Sequence, residues 1–325
     1  MAKSSHIRDV MSIAFSWLRL VCVGIAEPTD SVGPEWQHGD MCGRYATTAN
    51  PARLAVELDA LDETVDGPPS GDAAAGKPAS GGDGGTSAGG ESGNGANYNV
   101  APTNRILTVV RRHDHDHPDD DPALRIRRMR WGLIPVWTKA AEPGIPAKGK
   151  PLFNARADRA ATAPSFRDSV KKRRCLVPMD GWYEWLTEPH PTGSGKAVKQ
   201  PYYMSDAEGN RLYMAGLWSV WRDPAQRDMA PLLSCTILTT DAVGDLTRIH
   251  DRMPLMMPRE HWDAWLDPDH PAPHELLETP EPQVISSIVA RPVSPLVNSV
   301  RNNGPQLLDP VPGAGSEQAG QISLI

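Results

Sequence analysis

The chain has 325 residues, enough for one large domain or two, and its hydrophobic content of 39% is low because glycine and proline are abundant. Its formal net charge of -7 argues against a protein that is basic throughout, as many nucleic-acid-binding proteins are. The charge is unevenly distributed, however. The window 122–175 holds fourteen Arg or Lys residues against three acidic ones, a net charge of +11. Such a window predicts a surface that attracts phosphate groups.

The cysteine content points to a reducing compartment. The chain has four cysteines without CxxC pairing or zinc-site spacing, namely Cys22, Cys42, Cys175 and Cys235. Sparse, unpaired cysteine is typical of cytoplasmic proteins, so we expect a cytoplasmic protein without a metal or other cofactor. No apolar run is long enough to cross a bilayer, and we therefore expect no membrane association.

We do not expect the first forty residues to belong to the folded domain. Residues 10–26 imitate the apolar region of a signal peptide, but Arg19 interrupts them, and cleavage near Ala26 would not expose Cys42. We interpret 1–40 as a leader that either comes from a start codon assigned too far upstream or is removed.

The remaining chain predicts a mixture of strands and short helices. Asn50 and Pro51 are a helix start, and the leucines that follow at helical spacing predict a helix over 51–63. The Gly/Ser/Ala/Pro/Asp-rich stretch at about 67–97 predicts a disordered insertion. Past Pro305 we expect the chain to loosen into a flexible tail at 311–325. Strands are predicted at 106–111, 124–131, 175–177, 181–186, 202–205, 212–220 and 232–240, and a short helix at 258–266.

Alternating His and Asp residues at 113–121 have the side chains of a metal site. They lie in a proline-ended loop between two predicted strands, where a solvated turn is the better interpretation. We therefore predict no metal at this loop.

Cys42 is the strongest candidate for chemistry. If translation starts at Met41 and the methionine is trimmed, Cys42 carries a free α-amine beside its thiol. An aldehyde can condense with the amine to a Schiff base, and the thiol can then close a thiazolidine ring.

Three further polar residues each lie among glycine, proline and aromatic or apolar residues. Glu184 lies between Tyr183 and Trp185 on a predicted strand, where burial would favour a protonated carboxyl. His250, beside acidic and basic neighbours, is a candidate general acid or base, and Asn154 is a candidate hydrogen-bonding residue.

These stretches together resemble the SOS response-associated peptidase (SRAP) family of abasic-site processing proteins. Six motifs occur in the family's order, and a weaker seventh stretch, VSPLVNSVRN at 293–302, also fits. The six motifs are MCGRY at 41–45, YNVAPT at 98–103, RWGLIP at 130–135, FNARAD at 153–158, GWYEW at 181–185 and IHDRMP at 249–254. The resemblance implies one α+β SRAP domain over 41–310, with a mixed, mainly antiparallel, barrel-like sheet flanked by short helices.

The resemblance also implies a function. Members recognise abasic sites in single-stranded DNA and trap the ring-opened sugar aldehyde as a thiazolidine on an N-terminal cysteine, which corresponds to Cys42. It implies that Asn154 holds the crosslinked residue by hydrogen bonds. Glu184 matches the family's glutamate, and His250 is expected to assist ring opening and Schiff-base proton transfers.

The DNA-binding residues are implied in the same way. Arg44 and Arg156 match arginines that grip the phosphate backbone, and Trp137 resembles an aromatic residue that stacks on a base. The expected partner is single-stranded DNA that contains abasic sites, and the expected oligomeric state is a monomer. The family name further implies an autoproteolytic peptidase activity, which could remove a leader, and an abasic-site lyase activity is a related possibility.

Two other functions fit parts of the sequence. A cysteine peptidase or amidohydrolase would use Cys42 with His250 as base and Glu184 as orienting acid, and would need only the thiol. A non-covalent single-stranded DNA-binding module would tolerate Cys42→Ser. The forty residues ahead of Met41 are a departure from the family, since a retained leader turns the α-amine of Cys42 into an amide. The long insertion at about 67–97 is a second departure.

Overall fold

The computed structural model describes residues 43–64, 96–150, 152–188 and 197–311, all of which belong to one compact unit. Four predicted features lie wholly or largely outside the described residues: the leader at 1–40, Cys42, the insertion at about 67–97 and the tail at 311–325. Of these, only residues 96, 97 and 311 are described.

The described residues form fifteen strands and four short α-helices. The strands are β1 Arg44–Thr47, β2 Leu61–Asp62, β3 Asn97–Val100, β4 Arg105–Arg112, β5 Ala123–Trp131, β6 Ala140–Glu142, β7 Ile145–Pro146, β8 Asn154–Arg156, β9 Arg174–Met179, β10 Gly181–Glu188, β11 Val198–Asp206, β12 Leu212–Trp221, β13 Leu232–Asp241, β14 Arg252–Pro254 and β15 Ile288–Pro292. The helices are α1 Pro51–Leu58, α2 Ala157–Ala160, α3 Arg167–Lys172 and α4 Trp262–Leu266.

Two sheets make up most of the fold. The first has the order β15-β11-β10-β1-β3 and is antiparallel throughout. The second has the order β14-β13-β12-β9-β4-β5-β2 and is mainly antiparallel, with β8 added in parallel to β13. A parallel pairing of β5 with β13 closes β4, β5, β13, β12 and β9 into a ring. The predicted α+β class with mixed, mainly antiparallel strands is confirmed.

The ring is not a regular barrel. β5 and β13 pair at two positions, Ser234 with Arg130 and Cys235 with Trp131. β4 and β9 pair at one position, Val109 with Leu176. Because these two strand pairs have so few paired positions, the ring closes largely through side-chain packing.

The two sheets share one hydrophobic core, which we call the central cluster. Both sheets contribute fully buried aromatic side chains to it, Tyr45 and Trp182 from the first and Trp131 from the second. A second cluster lies under the helices on the other face of the second sheet. A third, the outer cluster, covers the other face of the first sheet and consists of Ala46, Tyr183, Tyr203, Val293 and Val297. No helix among the described residues is long and apolar enough to cross a membrane.

The predicted helix over 51–63 was too long. It starts at Pro51, capped by the Asn50 side chain as predicted, and ends at Leu58. Asp59 then adopts a left-handed conformation with φ of 51°, which terminates the helix. Leu61, which continued the helical spacing, is half exposed and begins β2 instead.

The expected loosening past Pro305 was also wrong for the first few residues. Pro305–Leu308 form a 3₁₀ turn, and Leu307 is fully buried. A single apolar anchor in a short turn gives no periodic pattern, which is why the sequence did not predict it.

Candidate functional site

Strand β1 brings three of the six motifs together. It follows directly after Gly43 and pairs with β10, so that Tyr45 lies opposite Trp182. On its other edge β1 pairs with β3, and Tyr45 lies opposite Val100. Arg44 and Tyr45 of MCGRY, the GWYEW motif and the start of YNVAPT therefore lie on adjacent strands of one sheet.

A series of aromatic contacts connects the first sheet to the second. The Tyr45 and Trp131 ring centroids are 5.5 Å apart, and those of Trp131 and Phe153 are 6.4 Å apart, both edge to face. The indole Nε1 of Trp131 donates a hydrogen bond to the Phe153 carbonyl at 2.8 Å. Because Phe153 precedes Asn154, these contacts fix RWGLIP and FNARAD against MCGRY.

Strand β13 brings the FNARAD and IHDRMP motifs together. Thr239 pairs with Arg156 of β8 on one edge and with Pro254 of β14 on the other. FNARAD and IHDRMP thus flank the same half of β13. Phe153 and Ile249, each one residue before a predicted site residue, pack against the central cluster. The described residues of all six motifs consequently form one contiguous region, the motif region.

Glu184 is buried within this region, with only 2% of its surface exposed. It shares a face of β10 with Trp182, which packs in the central cluster. Its neighbour on β11 is Tyr202, which packs against the same cluster. A carboxyl group so well shielded from water can act on a reacting atom with little competition from solvent.

His250 has two mutually exclusive partners. Its Nδ1 lies 3.0 Å from the backbone nitrogen of Arg252, which donates to it, and 3.0 Å from Oδ1 of Asp251. The first contact requires an unprotonated Nδ1, whereas the second is favourable only when Nδ1 carries a proton. The side chain is 16% exposed. Nδ1 can therefore accept a hydrogen bond from Arg252 or, when it carries a proton, donate one to Asp251.

Arg156 lies at the surface beside Asp158 of its own motif. Its Nε and Nη2 donate to the two carboxylate oxygens at 3.1 and 2.9 Å. This hydrogen bonding raises the pKa of the Arg156 guanidinium and lowers that of the Asp158 carboxyl. The Arg156 side chain is 42% exposed, so a phosphate can still reach it.

Arg44 lies on the opposite face of the first sheet from Glu184. Its Nη1 donates to Oδ1 of Asn99 at 2.9 Å and to the Val297 carbonyl at 2.8 Å. Its Nη2 donates to the Asn298 carbonyl at 3.2 Å. Burial lowers the pKa of this guanidinium from its ordinary value. The phosphate-gripping role stays a prediction, and the contacts observed are internal.

Trp137 lies in the turn after β5 and is exposed, as is the neighbouring Val136. An exposed indole is available for stacking on a base. Its predicted role is compatible with this position but is not tested by it.

Two residues that contribute to the region had no predicted role. Asn99 is 4% exposed, and its Nδ2 donates to the carbonyls of Val297, Ser299 and Asn302. Tyr202 lies opposite Glu184. The signal for Asn99 was present in YNVAPT, where an asparagine interrupts an apolar strand, but its partners are about two hundred residues away.

The two described cysteines are poor nucleophiles. Cys175 and Cys235 are both fully buried with free thiols. Burial raises the pKa of each thiol, which leaves little reactive thiolate. Among the described residues, no group of three or more His, Cys, Asp or Glu side chains is placed to hold a metal ion.

Comparison with known proteins gives consistent results. The family model described as SOS response associated peptidase (SRAP) matches residues 41–300. The abasic site processing protein YoqW of Bacillus subtilis is 35% identical over 212 residues, which cover 65% of this chain and 85% of that protein. The mouse abasic site processing protein HMCES is 32% identical over 242 residues, covering 66% of this chain and 64% of HMCES. A crystal structure of a Bacteroides thetaiotaomicron protein shares the fold, with a TM-score of 0.56 at 21% identity, covering 83% of this chain and all of that one.

Proposed function

The chain belongs to the SOS response associated peptidase (SRAP) family, and from this membership we propose that it processes abasic sites in single-stranded DNA. Its relatives YoqW and HMCES carry the name abasic site processing protein. The observation that carries the proposal is the contiguity of the six motifs, built on the contacts among Tyr45, Trp131 and Phe153. The motifs would have no reason to converge if each served only its own local structure.

We propose that Cys42 traps the lesion once it is the N-terminal residue. Its α-amine adds to the aldehyde carbon of the ring-opened sugar, and loss of water gives an imine. The thiol sulfur then adds to the imine carbon and its proton passes to the nitrogen, which closes a five-membered thiazolidine. Unperturbed pKa values of ~8 for the amine and ~8.5 for the thiol leave both groups partly deprotonated near neutral pH.

Covalent geometry limits where this chemistry occurs. Cys42 is two residues before Arg44 in the sequence, and consecutive Cα atoms are about 3.8 Å apart. Glu184 is the residue of β10 that follows Tyr183, the partner of Arg44. Its buried carboxyl is therefore our choice for the group that protonates the departing hydroxyl.

The other predicted residues take complementary roles in the proposal. His250, with its two alternative Nδ1 partners, moves protons during ring opening and imine formation. Asn154 holds the crosslinked sugar by hydrogen bonds. Arg156 and the exposed Trp137 contact a phosphate and a base of the flanking strand. Specificity then comes from the aldehyde, which intact DNA lacks.

We further propose that the peptidase activity in the family's description frees Cys42 by cleaving the bond before it. An abasic-site lyase activity would follow from the same imine, because an imine acidifies the neighbouring carbon and favours elimination of the 3′ phosphate. Both activities would use the proton-transfer residues Glu184 and His250.

The test is adduct formation by protein that begins at Cys42. It should form a heat-stable adduct with an abasic single strand on a denaturing gel, and none with the matched intact strand. Cys42→Ser should lose the heat-stable adduct, while an imine that borohydride can trap persists. A heat-stable adduct formed equally well by Cys42→Ser would rule out thiazolidine formation.

A further inference from the structure

A second basic cleft lies away from the six motifs. It has a volume of about 810 Å³ and lies where the turn between β4 and β5 meets the end of α3 and the C-terminal end of β12. Six cationic side chains line it, namely Arg112, Arg125, Arg127, Lys172, Arg173 and Arg222.

Two of these cations are already paired with carboxylates. Arg125 bonds to Glu63 and to Asp114, and Arg127 bonds to Glu63. Within the described part of the chain, the other four have no ion-pair partner: Arg112, Lys172, Arg173 and Arg222. Asp116 and Asp269 also line the cleft, so its six cations face four carboxylates in all. A net charge of +2 is left for an anion to neutralise.

Arg112 is held in the cleft by an aromatic contact. Its guanidinium carbon lies 5.2 Å from the centroid of the Trp218 ring, which is buried. The pKa of Arg112 is lowered, first by burial and then by the positive charge of Arg127. A bound phosphate would relieve this repulsion between like charges.

The cleft and Arg156, the predicted phosphate-binding residue of the motif region, lie towards opposite ends of β13. Trp221, next to Arg222 of the cleft, pairs with Leu232 at the start of β13. Near the other end of β13, Thr239 pairs with Arg156. The seven residue steps between Leu232 and Thr239 correspond to about 23 Å of strand.

We propose that this cleft binds the sugar–phosphate backbone of nucleic acid at a second point, several nucleotides from the lesion. The inference rests on the proposed function, because a strand held at the motif region is what brings phosphates to the cleft. The unpaired cations come from three separate elements, β4, the end of α3 and the end of β12. Cations on separate elements can each bind a different phosphate of a nucleic-acid strand. A single free phosphate ion would instead need donors that point to one position. A B-form strand spans ~23 Å with about seven phosphates.

The experiment compares intact single strands of two lengths, measured by fluorescence anisotropy with the full chain. A strand of about 5 nucleotides is too short to occupy both surfaces, whereas one of about 21 nucleotides is long enough. Lys172→Gln/Arg222→Gln removes two exposed charges from the cleft. It should weaken binding of the long strand at least threefold and reduce the salt slope by about 0.7 for each phosphate that the cleft no longer binds, without affecting the short strand. Arg53→Gln/Lys199→Gln removes the same charge elsewhere on the surface and is the matched control.

Equal losses of affinity in the cleft variant and the control, or equal losses for both strand lengths, would overturn the proposal. Arg112→Gln is a second variant that should give the same length-dependent loss. Inorganic phosphate at constant ionic strength tests the alternative that the cleft binds a free anion. If millimolar phosphate weakens binding of the long strand to the affinity of the cleft variant, the cleft is a free-anion site and the proposal is wrong. Adduct formation with a short abasic strand should be normal in all of these variants. If the unsubstituted protein that begins at Cys42 forms no adduct with the short abasic strand, that result would contradict the proposed function and not the cleft proposal.

Discussion

At the scale of single residues, the two predicted DNA-gripping arginines are in different situations. Arg44 donates three hydrogen bonds to internal acceptors, whereas Arg156 has one carboxylate partner on its own motif. An arginine whose donors already bind backbone carbonyls of its own chain gains less from a phosphate than an exposed one. We therefore assign the larger direct contribution to DNA affinity to Arg156.

Arg156→Ala should weaken binding of single-stranded DNA whatever the sequence, since a phosphate contact carries no base information. The slope of log K against log salt concentration should become shallower by about 0.7. Titrations at several salt concentrations measure both quantities. Arg53→Ala is the matched control, because Arg53 is an exposed arginine on α1. A salt slope in Arg156→Ala equal to that of the control would remove phosphate gripping from its role.

At the scale of elements, the C-terminal segment 293–302 is fixed to the first sheet by side chains of β1, β3 and β10. Asn99 donates to three backbone carbonyls of the segment, and Trp185 donates to Oδ1 of Asn298 at 2.7 Å. Arg44 adds two more bonds to the same segment. The seventh, weaker motif thus has a structural explanation: it supports the strand that follows Cys42.

Asn99→Ala should release this segment, because three backbone carbonyls lose the Asn99 donor at once, through one buried and two partly buried hydrogen bonds. We expect the free energy of unfolding to fall by about 2–4 kcal/mol. Hydrogen exchange should become faster in 293–302 before it does so in β12 and β13. Asn210→Ala is the control, since Asn210 bonds only to acidic residues of its own turn, and it should cost less than about 1 kcal/mol. If hydrogen exchange in Asn99→Ala is no faster in 293–302 than in β12 and β13, the segment is held by its apolar contacts alone.

Most elements could be predicted because their signal is local. The pattern of residue types indicated strands at 124–131 and 181–186, and the observed bounds of β5 and β10 extend the predicted ones by one or two residues. The helix from Pro51 failed at its end, since nothing in the apolar spacing reveals that Asp59 adopts a left-handed conformation. Terminations of this kind depend on one backbone conformation and not on a pattern.

At the scale of the whole molecule, the sequence predicted that the motifs converge but not how. The closing pair β5 and β13 joins residues more than a hundred positions apart, and no periodicity encodes that choice. The internal role of Arg44 was missed for the same reason, because its partners come from the far end of the chain. The basic window was predicted as one surface. In the structure Arg156 and Lys172 from this window lie in two separate regions, the motif region and the second cleft.

The whole-molecule prediction concerns the start of the active protein. Protein that begins at Cys42 should crosslink to abasic single strands, whereas the 325-residue chain should not until residues 1–41 are removed. The reason is chemical, since an amide nitrogen is not nucleophilic and only a free terminus can form the imine. A thiol alone gives a hemithioacetal, which reverses and should not survive denaturation.

Intact mass measured alongside the crosslinking reaction makes this prediction testable. The amount of adduct should follow the amount of chain that has lost residues 1–41, including any that the protein removes itself. If Glu184 and His250 assist that removal, Glu184→Gln and His250→Ala should retain the leader longer than the unsubstituted chain. Acetylation of the Cys42 amine should abolish both the imine and the ring, whereas a peptidase that uses only the thiol would be indifferent to it. Crosslinking by a chain whose mass still includes residues 1–41, at the rate of the Cys42-start form, would contradict the mechanism.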